Sequence, residues 1–347
     1  MRFLFDILHP AHVHVLRHPK ALLEASGHEV VVTARRKDVA TDLLDGFGIE
    51  YTVISEQQTG AVNLALELAA RTYRLVRIAR RQQVDVLVGL MGPSIAPAGK
   101  LLRIPSFVLY DTEIATRTNR WVYPMATEVI TPECYASPVN GEHITYAGYH
   151  ELAYLHPHRF TPDSAALGRF HIDESRPYIV VRLPAFVSSH DTDEIETATE
   201  QWVEWFEHLS GSWDVFVSSE RPLPQSLASY RLEGPVTEVH HVLAFADLVI
   251  GESATMASEA AVLGTSAVFI GETTRGYIED IETRYGLIRR FKPDEFTEAI
   301  SAAEGFLSSS TDGDLTAAHA ALVDEHIDVS AWLTDHLIEA TIDRTDS

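Results

Sequence analysis

Residues 246–265 read ADLVIGESATMASEAAVLGT, and the order of apolar, small and polar positions in this stretch decides the fold. Leu248, Val249 and Ile250 form the short apolar run of a strand buried on both faces. Gly251 closes it, small residues make a tight turn, and a helix is predicted to open around Thr255. Free backbone N–H groups and the dipole at such a helix start make an anion site. The hydroxyls of Ser253 and Thr255 either cap the helix or reach a phosphate. Glu259, about one turn further on, is spaced to accept hydrogen bonds from two ribose hydroxyls. Plain N-capping with a solvated glutamate is the other reading of the same spacing.

The alternation of strand, turn and helix extends through the whole chain. Towards the N-terminus, strands are predicted at residues 2–8, 28–33, 49–54, 84–89, 105–110 and 128–131. Helices are predicted at 38–47 and 62–82, with another running from the 9–14 turn to about residue 26. Crossovers of this length join parallel strands. The stretch HPHRFTPD at 156–163 carries two prolines and reads as a linker. The pattern then restarts, with strands at 178–182, 214–218, 234–238, 248–251 and 266–270, and helices at 194–210 and 255–263. A final helix over 322–342 is expected to cross back onto the first half. The expected fold class is α/β, with two Rossmann-like domains whose parallel sheets face a cleft. They comprise residues 1–155 and 156–330, followed by a C-terminal helix at 331–347.

Composition narrows the function classes. The 347 residues carry a formal charge of −23, from 50 acidic and 27 basic side chains. The only lysines are Lys20, Lys37, Lys100 and Lys292. An acidic surface almost free of lysine suits a high-salt, halophile's cytoplasm, where screening tolerates the repulsion. It argues against nucleic-acid binding, which needs a basic face to displace counterions. The single cysteine, Cys134, excludes an internal disulfide and a thiolate metal cluster. No apolar run approaches the roughly 20 residues of a membrane span, and the chain starts directly in a strand pattern, so a cytoplasmic location is expected.

Candidate site residues fall in loops that follow strands, where open parallel sheets bind ligands. The turn HPAHVH at 9–14 offers His9, His12 and His14 as ligand contacts, with His12 a possible proton acceptor near neutrality. A plain turn or a metal site are the other readings of these histidines. Asp111 and Glu113, just after the 105–110 strand, are the candidate catalytic carboxylates, or else cap the next helix. Arg182 closes an apolar strand and is suited to neutralise a diphosphate. His190 follows it as a further substrate contact. Arg71, Arg74, Arg77, Arg80 and Arg81 recur at helical spacing along 62–82. The Arg71–Arg81 stripe either approaches anionic lipid or pairs with Glu67 and neighbouring acids.

The 246–265 stretch resembles the donor-site signature of nucleotide-sugar enzymes of the glycosyltransferase-B fold. These include the bacterial UDP-N-acetylglucosamine 2-epimerases and the lipid-intermediate N-acetylglucosaminyltransferase. The resemblance implies that Gly251, Ser253, Ala254 and Thr255 lie against the diphosphate and that Glu259 holds the ribose. GETTRG at 271–276 is similar to the epimerase stretch that follows, and Glu113 would match a functional epimerase glutamate. Two departures stand out. Ala254-Thr255 replaces the usual Gly-Gly, and MGPS at 91–94 lacks the acid of the epimerase His-Gly-Asp motif. A narrower resemblance covers most of the chain. HPAHVH, GHEV (27–30), YDTE (110–113), ITPE (130–133), GYHELAY (148–154) and RLPAF (182–186) follow in the order seen in the archaeal DUF354 family.

Together these readings imply a glycosyltransferase that uses a nucleotide-diphosphate sugar, with UDP-sugar the first choice of donor. The acceptor is open and includes a lipid-linked one, as in surface glycan or glycolipid synthesis. Arg182 and the helix start would stabilise the leaving group without a metal, and no cofactor is expected. An epimerase or hydrolase on the same donor, and a non-catalytic nucleotide-sugar-binding protein, are the alternatives.

Overall fold

Arg2–Ile7 forms the first strand, β1, in a computed structural model. It describes residues 1–347 apart from 38, 59, 115, 184–191, 220–221, 274, 310–312 and 346–347. Phe3 to Ile7 are all buried, as expected of a strand flanked on both sides and covered on both faces. Its neighbours are β2 (Glu29–Arg36), β3 (Thr52–Glu56), β4 (Val86–Leu90), β5 (Ser106–Leu109), β6 (Glu128–Pro132) and β7 (His143–Tyr146). The seven strands are parallel in the order β3-β2-β1-β4-β5-β6-β7. Strand order reverses between β1 and β4, which makes the carboxyl ends of these two strands the topological switch point.

This sheet belongs to a first compact unit of Met1–Phe160, Arg275–Tyr277 and Glu325–Ser347. The helix Pro10–Ala25 follows β1 with Pro10 in its first turn, where the missing N–H costs nothing. It stops at Gly27, whose φ of +81° suits a helix-ending glycine.

A second unit comprises Thr161–Thr274 and Ile278–Asp324. Its sheet has β8 (Tyr178–Arg182), β9 (Asp214–Ser218), β10 (Leu248–Gly251), β11 (Ala267–Ile270) and β12 (Ile288–Phe291). All are parallel, in the order β12-β11-β10-β8-β9, so the reversal lies between β8 and β10. Ile179, Val181, Leu248, Ile250 and Val268 pack with Trp202, Trp205 and Phe206. Each such burial contributes about 1.5–3 kcal/mol, against about 1–2 kcal/mol of backbone entropy per ordered residue. The strand ends above this cluster are therefore held in place.

Four sequence expectations change. Residues 234–238 are not a strand: Val236–Glu238 is a 3-10 turn behind Pro235, which has no N–H to give a sheet. Strands β7 and β12 lie outside the predicted set. The predicted 322–342 helix is two helices, Gly313–Asp324 and Val329–Thr345, with Asp328 accepting from Ala331 N at 3.2 Å at the second start.

The fourth change concerns the arginine stripe on the helix Ala61–Arg81. Arg71 is buried, with its guanidinium paired to Asp6 inside β1. It also donates to Ser55 Oγ at 2.7 Å, while Thr33 and Ser94 donate to the Asp6 carboxylate at 2.7 and 2.6 Å. Glu67 pairs with Arg35 at 2.7 Å, not with the stripe. Arg74, Arg77, Arg80 and Arg81 remain on the surface, in company with exposed Val62, Leu66 and Tyr73. Among the described residues no helix is long and apolar enough to cross a membrane.

Candidate functional site

In the second unit the site is built at the β8–β10 reversal. Arg182, the last residue of β8, lies level with Gly251, the last of β10. Gly251 has φ +145°, and a Cβ there would fall 2.0 Å from the Arg182 carbonyl oxygen. Only glycine permits this approach. Glu252 N then donates to the Arg182 carbonyl at 3.0 Å, which turns the chain into the helix Ala254–Val262. Ser253 is its N-cap and accepts from Met256 N at 3.2 Å. The first-turn amides of Ala254 and Thr255 have no intrahelical acceptor, so the helix start offers N–H donors at the carboxyl edge of the sheet, next to the end of β8. The guanidinium of Arg182 donates to Ser218 Oγ at 3.0 Å from the end of β9.

Glu259 lies on the same helix but is buried, with Oε1 3.0 Å from His240 Nε2. A solvated glutamate is thereby excluded. His190 lies outside the described residues.

In the first unit a second group gathers at the carboxyl edge of the sheet. His9 is the N-cap of the Pro10–Ala25 helix, its Nδ1 accepting from Ala11 N at 3.3 Å. Its ring centre lies 6.0 Å from that of His12. His12 Nδ1 accepts from Leu8 N at 3.2 Å. A ring nitrogen that receives an N–H carries no proton, so neutral His12 presents Nε2–H as a donor. Burial first, then the neighbouring His9, pushes His12 well below its ordinary pKa, so the neutral form prevails.

Asp111 is paired with a residue not singled out in the sequence. His150, just beyond β7, has Nδ1 2.9 Å from Asp111 Oδ2. Thr112 Oγ1 donates to the other Asp111 oxygen at 2.8 Å. Burial alone would raise Asp111, but the charge of His150 leads the effects that outweigh it and bring the carboxyl down to about 2. Burial works to lower His150, yet Asp111 overrides it and the imidazole is raised. The contact is a close ion pair, and both ring nitrogens of His150 are buried without a hydrogen-bond partner among the described residues. The sequence signal was the GYHE segment at 148–151, which carried His150 only as part of a family pattern.

His14 and Glu113 stand apart from this group. His14 is buried, its ring stacked on Tyr154 at 5.2 Å and edge-on to Phe47 at 5.8 Å. Glu113 Oε1 accepts from Ala136 N at 3.2 Å and Gly276 N at 3.1 Å, so it fastens the 275–277 segment to the first unit.

The sequence over residues 1–274 matches the family described as protein of unknown function (DUF354). The chain belongs to the DUF354 family. No curated protein matches it. Solved structures match this DUF354 chain along its length at low identity. The spinosyn forosaminyltransferase SpnP aligns with a TM-score of 0.65 and 16% identity, over 99% of each chain. MnaA of S. aureus, solved with UDP, gives 0.66 and 11% over 97% of this chain and 95% of its own. MurG of Acinetobacter baumannii gives 0.57 and 14% over 98% and 100%. The fold of the DUF354 chain is thus the α/β glycosyltransferase-B type, with two parallel Rossmann-like sheets.

Proposed function

We propose that this chain is a glycosyltransferase that takes its sugar from a nucleoside diphosphate. The observation that carries the reading is the Gly251–Arg182 approach. It brings the turn before an open helix start against the end of β8, the strand that carries Arg182, at the strand reversal of the second sheet. A diphosphate suits that pairing, because hydrogen bonds to ionised oxygens are the strong kind. Arg182 and the amides of Ala254 and Thr255 would stabilise the departing diphosphate without a metal. Glu259, fixed by His240, would accept from the ribose. UDP is the nucleotide of choice, since the similar S. aureus MnaA was solved with it.

The acceptor hydroxyl belongs to the first unit. His150, paired with Asp111, is the proposed base for its proton, and His12 Nε2–H is a donor to an acceptor oxygen. The exposed arginines Arg74, Arg77, Arg80 and Arg81 beside Val62, Leu66 and Tyr73 favour an acceptor at an anionic lipid face, as in glycolipid or surface glycan synthesis.

The test is calorimetric titration of UDP, GDP and dTDP in high-potassium buffer, with wild type, Arg182→Ala and Glu259→Ala. The expected result is selective binding of one nucleotide, weakened at least tenfold (about 1.4 kcal/mol) by either substitution. Absence of binding by folded wild-type protein would sink the reading. Turnover of the UDP-sugar with no acceptor present would instead identify an epimerase or hydrolase on the same donor.

A further inference from the structure

Away from both sheet edges, His156, His158 and Asp328 each bring a nitrogen or carboxylate oxygen to a common point, with these atoms within 4.8 Å of one another. Their position in the chain is unusual. The polypeptide leaves the first unit after Phe160 and, apart from the short Arg275–Tyr277 segment, returns to it at Glu325. His156 and His158 thus sit just before the first crossing, and Asp328 just after the last. An ion pair already links the two segments, with Arg159 Nη2 2.7 Å from Asp328 Oδ2.

We propose that His156, His158 and Asp328 bind one divalent transition ion of the zinc type, which ties the two crossing segments of the chain together. Two imidazoles and one carboxylate form a borderline donor set, which suits zinc and excludes magnesium, a cation that prefers oxygen alone. Tetrahedral ligand atoms on zinc stand about 3.3 Å apart, so a modest closure is required. His158 can supply it, since its side chain is 76% exposed. The other two ligands are oriented. His156 Nδ1 accepts from His158 N at 3.2 Å, which leaves Nε2 as the nitrogen available to a metal. Asp328 Oδ1 accepts from Ala331 N and from Arg159 Nε at 3.2 and 3.1 Å. Such outer hydrogen bonds fix metal ligands in place. His18 feels the charges of both Arg159 and Asp328, and its Nε2 is buried without a hydrogen-bond partner among the described residues.

The experiment uses full-length protein stripped with chelator and titrated calorimetrically with zinc chloride, then with magnesium chloride. One equivalent of zinc should bind, magnesium should not, and His158→Ala should weaken zinc at least tenfold. His158→Ala removes an exposed ring, and its metal-free circular dichroism should match wild type. Asp328→Asn provides a second variant with the same expected loss. Zinc should also slow amide hydrogen exchange at residues 156–163 and 325–331 in wild type, and not in His158→Ala. Absence of zinc binding, or a zinc affinity unchanged in both variants, overturns the site. Unchanged exchange in zinc-loaded wild type overturns the tie between the segments.

Discussion

The carbonyl oxygen of Arg182 lies 2.0 Å from the point where a Cβ on Gly251 would stand. The two residues end adjacent strands, β8 and β10, at the reversal of strand order. That contact draws the turn before the Ala254–Val262 helix up to the Arg182 backbone, and so shapes the candidate diphosphate site. Gly251 also has φ +145°, a conformation that side chains resist.

Gly251→Ala should therefore destabilise the protein by about 3 kcal/mol or more, from backbone strain and overpacking together. Ala254→Gly, one turn away, should cost about 1 kcal/mol in helix propensity alone. Thermal melting of both variants checks the contrast, and equal losses would show that the close approach is not what demands glycine.

Why this edge was legible, and others were not, follows from the kinds of residue involved. LVIG at 248–251 is uniformly buried and ends in a glycine, so apolar run and breaker agree. Strand β12 reads IRRF, and its two arginines disguise a sheet edge. Strand β7 reads HITY and keeps two exposed positions, so it lacks the apolar run of an inner strand. Residues 234–238 offered β-branched side chains, but Pro235 outweighed them. Asp111 and Glu113 could be nominated from their place after a strand. The His150 partner of Asp111 could not, because the order β5-β6-β7 alone brings the loops after β5 and β7 to the same edge. Burial of Arg71 was hidden for the same reason, since its partners Asp6 and Ser55 lie on two separate strands.

Arg71→Met should leave the Asp6 carboxylate buried without its cation. Removing one member of a buried ion pair typically costs about 3–5 kcal/mol. Thr33 and Ser94 still donate to Asp6, so the expected loss lies at the lower end of that range. Adding Asp6→Asn to Arg71→Met removes the orphaned charge and should recover part of the loss. Urea denaturation gives both values, and a double variant no more stable than Arg71→Met would contradict the argument.

The Asp111–His150 pair predicts a defined pH window. Asp111 has its carboxyl lowered from 3.8 to about 2, so its contribution is present above pH 3.8 and is lost as pH falls towards 2. His150 is raised, so its contribution is full below the ordinary pKa of 6.5 and is lost as pH rises through the raised value. The pair thus stabilises most in mildly acidic solution. Asp111→Asn should lower the His150 pKa, seen by NMR titration of the imidazole, and flatten the dependence of Tm on pH. The loss at mildly acidic pH should be on the order of 2 kcal/mol. An unchanged His150 titration in the variant would show that Asp111 does not set its charge.

The surface of the Ala61–Arg81 helix gives the last prediction. With Arg71 turned to Asp6, the cationic face is Arg74, Arg77, Arg80 and Arg81, and Val62, Leu66 and Tyr73 are each more than half exposed. Basic residues near an anionic bilayer contribute about 1 kcal/mol each. Arg77→Glu with Arg81→Glu should therefore cut binding to phosphatidylserine vesicles by at least tenfold, while Arg71→Met leaves it unchanged. Leu66→Ser should weaken it further, because its apolar area would no longer enter the interface. Vesicle sedimentation at low and high potassium reads all three, with binding expected to fall as salt rises. The charge of −23 sets a stringent condition: only a locally concentrated cationic face can hold so acidic a protein at an anionic surface. Binding that ignores Arg77 and Arg81 would remove this helix as the contact.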